Sequence, residues 1–187
     1  MSLMVSYNII CRKNYPHFYE HVDIIRLNSP YYSKEELIHI LENNSKTKFI
    51  DVNIKYRMKQ KKANHDFHKL LKLIGSYNVS WVGISNVESI ETYGYVKAIL
   101  GNDKVRICAK IETELGCWHA EDIMFAFDGI MVDTEDLAFE VGWNRAVEEK
   151  DRIYQLCEKH KKPHFRLAGV IFEYIKYKTL EESKIII

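Results

Sequence analysis

Two stretches of this chain put charged side chains where apolar runs end. Lys110-Ile-Glu112-Thr-Glu-Leu-Gly116 sets a lysine and a carboxylate two residues apart, and Asp128-Gly-Ile-Met-Val-Asp-Thr-Glu-Asp136-Leu is a second apolar run that stops at carboxylates. Glu112 and Asp136, at the carboxyl ends of neighbouring strands, would offer oxygen ligands to a hard cation that keeps water or a substrate in its remaining positions. Lys110 would share a strand face with Glu112, because side chains two apart on a strand point the same way, so it could reach an anion held by that cation. Arg26 ends a third run, Val22-Asp-Ile-Ile, and a guanidinium there can clamp a carboxylate or phosphate bidentately. Asp51 closes a fourth. The same side chains would equally serve as solvated loop charges or structural ion pairs, and for Arg26 a capping salt bridge is the simpler reading of the pattern.

The elements that must position these groups alternate along the chain. Apolar runs at Asn8–Cys11, Val22–Asn28, Phe49–Asn53, Val79–Ile84, Val105–Glu112, Gly129–Val132 and His164–Leu167 read as strands, with Lys184–Ile187 as a short eighth. Helical spacing separates them. Ser33-Lys-Glu-Glu36 matches a capping box ahead of Leu37, Ile38, Ile40 and Leu41. Phe67, Leu70, Leu71 and Ile74 recur on one face before Gly75, a natural helix terminator, and Ile90, Tyr93, Val96 and Leu100 precede Gly101. A crossover helix is expected around Ala120-Glu-Asp-Ile-Met, another through Ala146, Lys150, Ile153 and Cys157, and a last one over Val170–Tyr177. Lys55–Lys62 is dense in charge and suits an exposed excursion.

Such alternation, at about 20 to 30 residues per unit, predicts an α/β fold with a parallel sheet, and seven or eight units favour a TIM-type (β/α)8 barrel over an open sheet. With 187 residues the chain is shorter than the roughly 200 to 250 usual for such barrels, so the barrel is expected to be short, with an incomplete last unit. Residues 1–187 read as one domain without a linker.

Composition narrows the function classes. Twenty-seven basic against 26 acidic residues give a formal charge of +1, which provides no global field for nucleic acid or an acidic membrane. Trp81, Trp118 and Trp143 are therefore expected to pack, not to stack on bases. No apolar run approaches the roughly 18 residues a membrane span needs, and no secretory leader is evident. The four cysteines show no CxxC spacing and suit a reduced, cytoplasmic compartment. The eight histidines form no HxH or HExxH pattern, which leaves a zinc site little support, and neither the GxGxxG nor the GxxxxGK[ST] signature occurs.

Taken together, Lys110-Ile-Glu112 with Glu114-Leu-Gly116, Asp128-Gly-Ile-Met-Val132, Asp136-Leu137 and Lys162-Pro163 resemble the barrel domain of pyruvate kinase. Arg26-Leu-Asn28 and Asp51 stand where that family's second and third strands carry comparable residues. Arg26-Leu-Asn-Ser-Pro, Val87-Glu-Ser89, Ile111-Glu-Thr113 and Thr134-Glu-Asp-Leu-Ala138 also resemble the citrate lyase beta-subunit and 2-oxo-acid aldolase branch of the same phosphoenolpyruvate/pyruvate superfamily. The resemblance implies Mg²⁺ or Mn²⁺ held by Glu112 and Asp136. It also implies Lys110 and Arg26 as catalytic groups, and Arg26, Asn28, Asp51 and Thr134 around a small anionic 2-oxo acid or phosphoenolpyruvate. The implied chemistry is stabilisation of a pyruvate-type enolate or transfer of a phosphoryl group.

Several positions depart from pyruvate kinase. Only the basic stretch Lys55–Ala63 occupies the place of the inserted lid domain, and the carboxy-terminal domain has no counterpart. Thr134-Glu135 replaces Arg-Gly before the metal aspartate, and Ala168-Gly169 stands where a threonine would assist enolate protonation. The family's usual serine after Asn28 is missing from its place, so a K⁺ site is not carried over. These losses weigh against efficient phosphoryl transfer, since excluding water is the lid's role. They leave two alternatives open: a metal-dependent carbon–carbon lyase, favoured by Glu135, and a non-catalytic barrel that works as a homo-oligomer or regulator.

Overall fold

The computed structural model describes residues 2–7, 21–53, 65–168 and 171–175. Strands β1 (Ser2–Ser6), β2 (Ile24–Asn28), β3 (Thr47–Asn53), β4 (Trp81–Ser85), β5 (Arg106–Ile111), β6 (Gly129–Val132) and β7 (His164–Ala168) pair in sequence order, each parallel to the next. Helices α1 (Lys34–Asn43), α2 (Phe67–Ser76) and α3 (Glu91–Leu100) fill the crossovers from β2 to β5. The crossover from β5 to β6 holds α4 (Glu114–Trp118) and α5 (Ala120–Ala126), and that from β6 to β7 holds α6 (Thr134–Val141) and α7 (Trp143–Lys159). The architecture is a curled, all-parallel seven-strand sheet of TIM-like form.

It departs from a closed barrel of eight parallel β/α units. The place of an eighth unit is taken by β8 (Ile171–Ile175), which runs antiparallel to both β7 and β1. The helix expected over Val170–Tyr177 is, over its described residues Ile171–Ile175, a strand. Its Ile-Phe-Glu-Tyr-Ile is β-branched and aromatic, and a short apolar run fits either period until pairing decides. The first strand also lies earlier than the sequence suggested, at Ser2–Ser6. Asn8–Cys11, the basic stretch Lys55–Lys62 and the expected strand Lys184–Ile187 fall outside the described residues.

Local signals explain the helix ends. Ser33 accepts from Glu36 N–H at 3.1 Å while the Glu36 carboxylate accepts from Ser33 N–H at 2.7 Å, the capping box read from sequence. Gly101 ends α3 at φ +60°, a left-handed conformation in which a side chain would strain the backbone. Gly75 does not end α2, which continues to Ser76. A Cβ at Gly75 would stand 2.0 Å from the Leu100 carbonyl oxygen, so the glycine permits α2 and α3 to cross closely. Segment Thr134–Val141 is a helix that the sequence reading passed over.

Strand side chains alternate between two apolar layers. Ile25, Leu27, Ile50, Val52, Val82, Ile84, Ile107, Ile111 and Val132 are buried in one cluster with the helix residues Leu37, Leu71 and Ile153. Met4, Ile24, Phe49, Trp81, Cys108, Met131 and Phe165 form a second cluster that contains no helix residue. These are the two faces of one sheet, the second being the inner face. Phe165 meets Phe49 and Trp81 edge-on, with ring centroids 4.9 and 5.2 Å apart, and Arg106 lies 4.4 Å over the Trp81 ring. Each fully buried side chain of this size contributes about 1.5 to 3 kcal/mol. Cys108, Cys117 and Cys157 are buried free thiols, and no helix among the described residues is long and apolar enough to cross a membrane.

Candidate metal and anion site

The same alternation builds a charged layer over this apolar floor. Two residues beyond Ile24, Phe49 and Cys108 on their strands stand Arg26, Asp51 and Lys110, so the pleat turns all three inward near the carboxyl ends. Ser85 is four residues beyond Trp81 on the same face, and Glu112 directly follows β5. Asp51, Ser85, Lys110 and Glu112 are all buried.

Lys110 is the hub. Its ammonium lies 2.6 Å from Glu112 Oε1, 3.8 Å from Asp51 Oδ2 and 3.9 Å from Asp133 Oδ2, and it donates to Ser85 Oγ at 3.2 Å. Burial alone would push its pKa down, but Asp51 and Glu112, helped by Asp133, outweigh both burial and the repulsion of Arg26, and the pKa rises. The surrounding carboxylates therefore favour the charged form of Lys110. Arg26 Nε donates to Asp51 Oδ2 at 2.6 Å, and a second guanidinium nitrogen pairs with the same oxygen. Burial would lower the Arg26 pKa too, and Asp51 again reverses the direction. The salt bridge favoured from pattern is present, inside the sheet instead of capping a strand.

Glu112 is held from both sides. Its Oε2 accepts from the Asn86 N–H at 2.9 Å, and Asn86 sits at φ +54° just after β4, a left-handed turn that asparagine tolerates. The next residue donates its N–H to the Lys110 carbonyl at 3.1 Å. A Cβ at Gly116 would stand 2.6 Å from the Val87 carbonyl oxygen, which explains the glycine in the Lys110–Gly116 stretch. Burial raises the Glu112 pKa against the opposing pull of Lys110, and Asp133 and Asp136 add to the rise.

Asp136 does not stand at a strand end. β6 stops at Val132, and Asp136 lies in the first turn of α6. The strand-end carboxylate is Asp133, which caps α6 by accepting from the Asp136 N–H at 3.4 Å. Carboxylate oxygens of Glu112, Asp133 and Asp136 lie within 4.8 Å of one another. Sequence reading missed Asp133 and Ser85, although each was available as an inward position in register with Met131 or Trp81.

Asn28, in register with Asp51, is half-buried at the end of β2, and its Oδ1 has no hydrogen-bond partner among the described residues; nor has Asp51 Oδ1. Thr134 is half-buried at the start of α6. Arg26, Asp51, Lys110, Glu112 and Asp136 thus converge, with Asn28 and Thr134 on neighbouring element ends. Two cations face four carboxylates, an arrangement with room in its charge balance for a divalent ion.

No protein-family model matches the chain. Among curated proteins, it is 25% identical over 111 residues to pyruvate kinase isozyme A, chloroplastic, of Ricinus communis, covering 57% of this chain and 19% of that protein. It is 26% identical over 103 residues to the same isozyme of Nicotiana tabacum, covering 53% of this chain and 17% of that protein. The chain spans about a fifth of the length of these relatives. The likeness supports a distant, pyruvate-kinase-like relationship over roughly half of the chain.

Proposed function

We propose that the chain is a pyruvate-kinase-like, TIM-type domain. In this reading it binds Mg²⁺ or Mn²⁺ through Glu112 and Asp136 and holds a small 2-oxo acid or phosphoenolpyruvate beside the ion. The observation that carries this reading is the buried Lys110–Glu112 pair, 2.6 Å apart, next to a carboxylate cluster at the strand ends. Buried charge is costly unless it is used or fully paired, and such clusters collect at functional sites. The donor set fits the ion: oxygen ligands only, grouped closely, with a formal excess of negative charge.

A divalent cation there would supply Lewis-acid polarisation of a carbonyl or phosphoryl oxygen. Lys110 would balance negative charge that grows on that oxygen, its own proton being secure because its pKa is raised. Arg26, oriented by Asp51, would anchor the ligand's carboxylate. Asn28 and Thr134 would contact the ligand from the ends of β2 and α6.

Calorimetry provides the test. Mn²⁺ should bind, pyruvate should bind only in its presence, and Glu112→Gln should abolish both. Absence of Mn²⁺ binding, or binding that survives Glu112→Gln, would sink the reading.

A further inference from the structure

A helix N-terminus beside a buried ammonium is ordinarily a place for an anion. Here the chain's own Asp133 faces both. One carboxylate oxygen accepts from the Asp136 N–H of α6, and the other lies 3.9 Å from Lys110 Nζ. Lys110 is further engaged by Glu112, Ser85 and Asp51. Bringing a divalent ion to two cations and four carboxylates leaves the enclosure near neutral. A multiply charged ligand would then place two or more uncompensated charges beside the buried Asp51, Lys110 and Glu112, whereas a singly charged carboxylate places one.

We infer that Asp133 is a specificity-determining residue, which biases the site against phosphorylated, multiply charged ligands and toward a singly charged 2-oxo acid. The inference rests on the metal site of the proposed function. Its side chain is 26% exposed, so its charge acts at the site without full solvent screening. Asparagine caps helices as well as aspartate does, so Asp133→Asn removes the charge and keeps the cap.

Mn²⁺ binding by the full chain is measured first, by the electron paramagnetic resonance signal of the free ion. Pyruvate and phosphoenolpyruvate are then titrated calorimetrically into the Mn²⁺-saturated protein. Wild type should favour pyruvate, and Asp133→Asn should shift the affinity ratio toward phosphoenolpyruvate by about tenfold or more, the order expected for one charge a few ångströms away. Asp133→Ser, a second capping residue, should shift it in the same direction. Glu135→Gln removes an exposed charge two residues on and should move the ratio by less than about threefold. The inference is overturned if wild type favours phosphoenolpyruvate, if both Asp133 variants leave the ratio unchanged, or if Glu135→Gln matches them. Failure of Mn²⁺ to bind at all overturns the metal site and this inference with it, and is seen before any anion is added.

Discussion

The two ends of the sheet interior are built from the same strands and obey opposite rules. At the amino-terminal end Ile24, Phe49, Trp81, Cys108, Met131 and Phe165 fill the space with apolar surface. One pleat further, β2, β3 and β5 carry Arg26, Asp51 and Lys110 instead, in an equally buried layer for Asp51 and Lys110. The floor is held by packing, which is indifferent to pH and to ligands. The mouth is held by mutual compensation, in which every charge depends on the others staying in place. The floor can therefore be rigid while the mouth remains chemically responsive.

The largest test of this contrast pairs one substitution from each end. Trp81→Ala should cost about 3 to 5 kcal/mol by opening a cavity, and Lys110→Met a similar amount, about 3 to 5 kcal/mol, by leaving buried carboxylates uncompensated. Urea denaturation should separate them. The Trp81→Ala loss should stay constant with pH, while the Lys110→Met loss should shrink on acidification as the stranded carboxylates take up protons. Equal, pH-independent losses would mean that the mouth too is held by packing.

Gly83 joins the two layers, since a Cβ there would lie 2.5 Å from the Phe49 ring and 2.6 Å from Asp51 Oδ1. Gly83→Ala should destabilise by about 1 to 3 kcal/mol through overpacking and should also disturb the Arg26–Asp51 pair, read as altered ligand affinity. Destabilisation with an unchanged mouth would show the layers to be independent.

The smallest effect concerns Glu112. Its folded pKa is raised above the ordinary 4.5 by burial, so the folded chain binds more protons than the unfolded one just above that pH. Its contribution to stability is then greatest below the unfolded value and falls as pH rises through the folded one. Glu112→Gln should remove this slope, leaving stability less dependent on pH just above the ordinary carboxylate range. A variant whose stability curve parallels wild type there would show Glu112 to be unperturbed.

Much of this was legible in the residues. The apolar runs marked the strands from β2 to β7, Ser33 and Glu36 marked α1, and Lys110-Ile-Glu112 announced the mouth by ending an apolar run on two charges of opposite sign. Gly75 misled, because a glycine that permits two helices to cross looks the same as one that ends a helix. Ile171–Ile175 misled because a short apolar run has no unique period. Asp133 was overlooked because a carboxylate just past a strand can cap the next helix, face inward, or do both, and here it does both.

By itself, then, the chain determined its alternating α/β character, the inward and outward faces of its strands, and the presence of charges at their carboxyl ends. These are local properties, set by side-chain period and by the short-range chemistry of caps and turns. Only the tertiary structure decided which charges meet. Arg26 finds Asp51 and Lys110 finds Ser85 across 25 residues of chain each, and Asp133 reaches Lys110 from the following strand end. Such meetings depend on which strands are neighbours and in what register, and a period of two leaves both undetermined. The antiparallel course of β8 was decided in the same way, by the edges of β7 and β1 that it pairs.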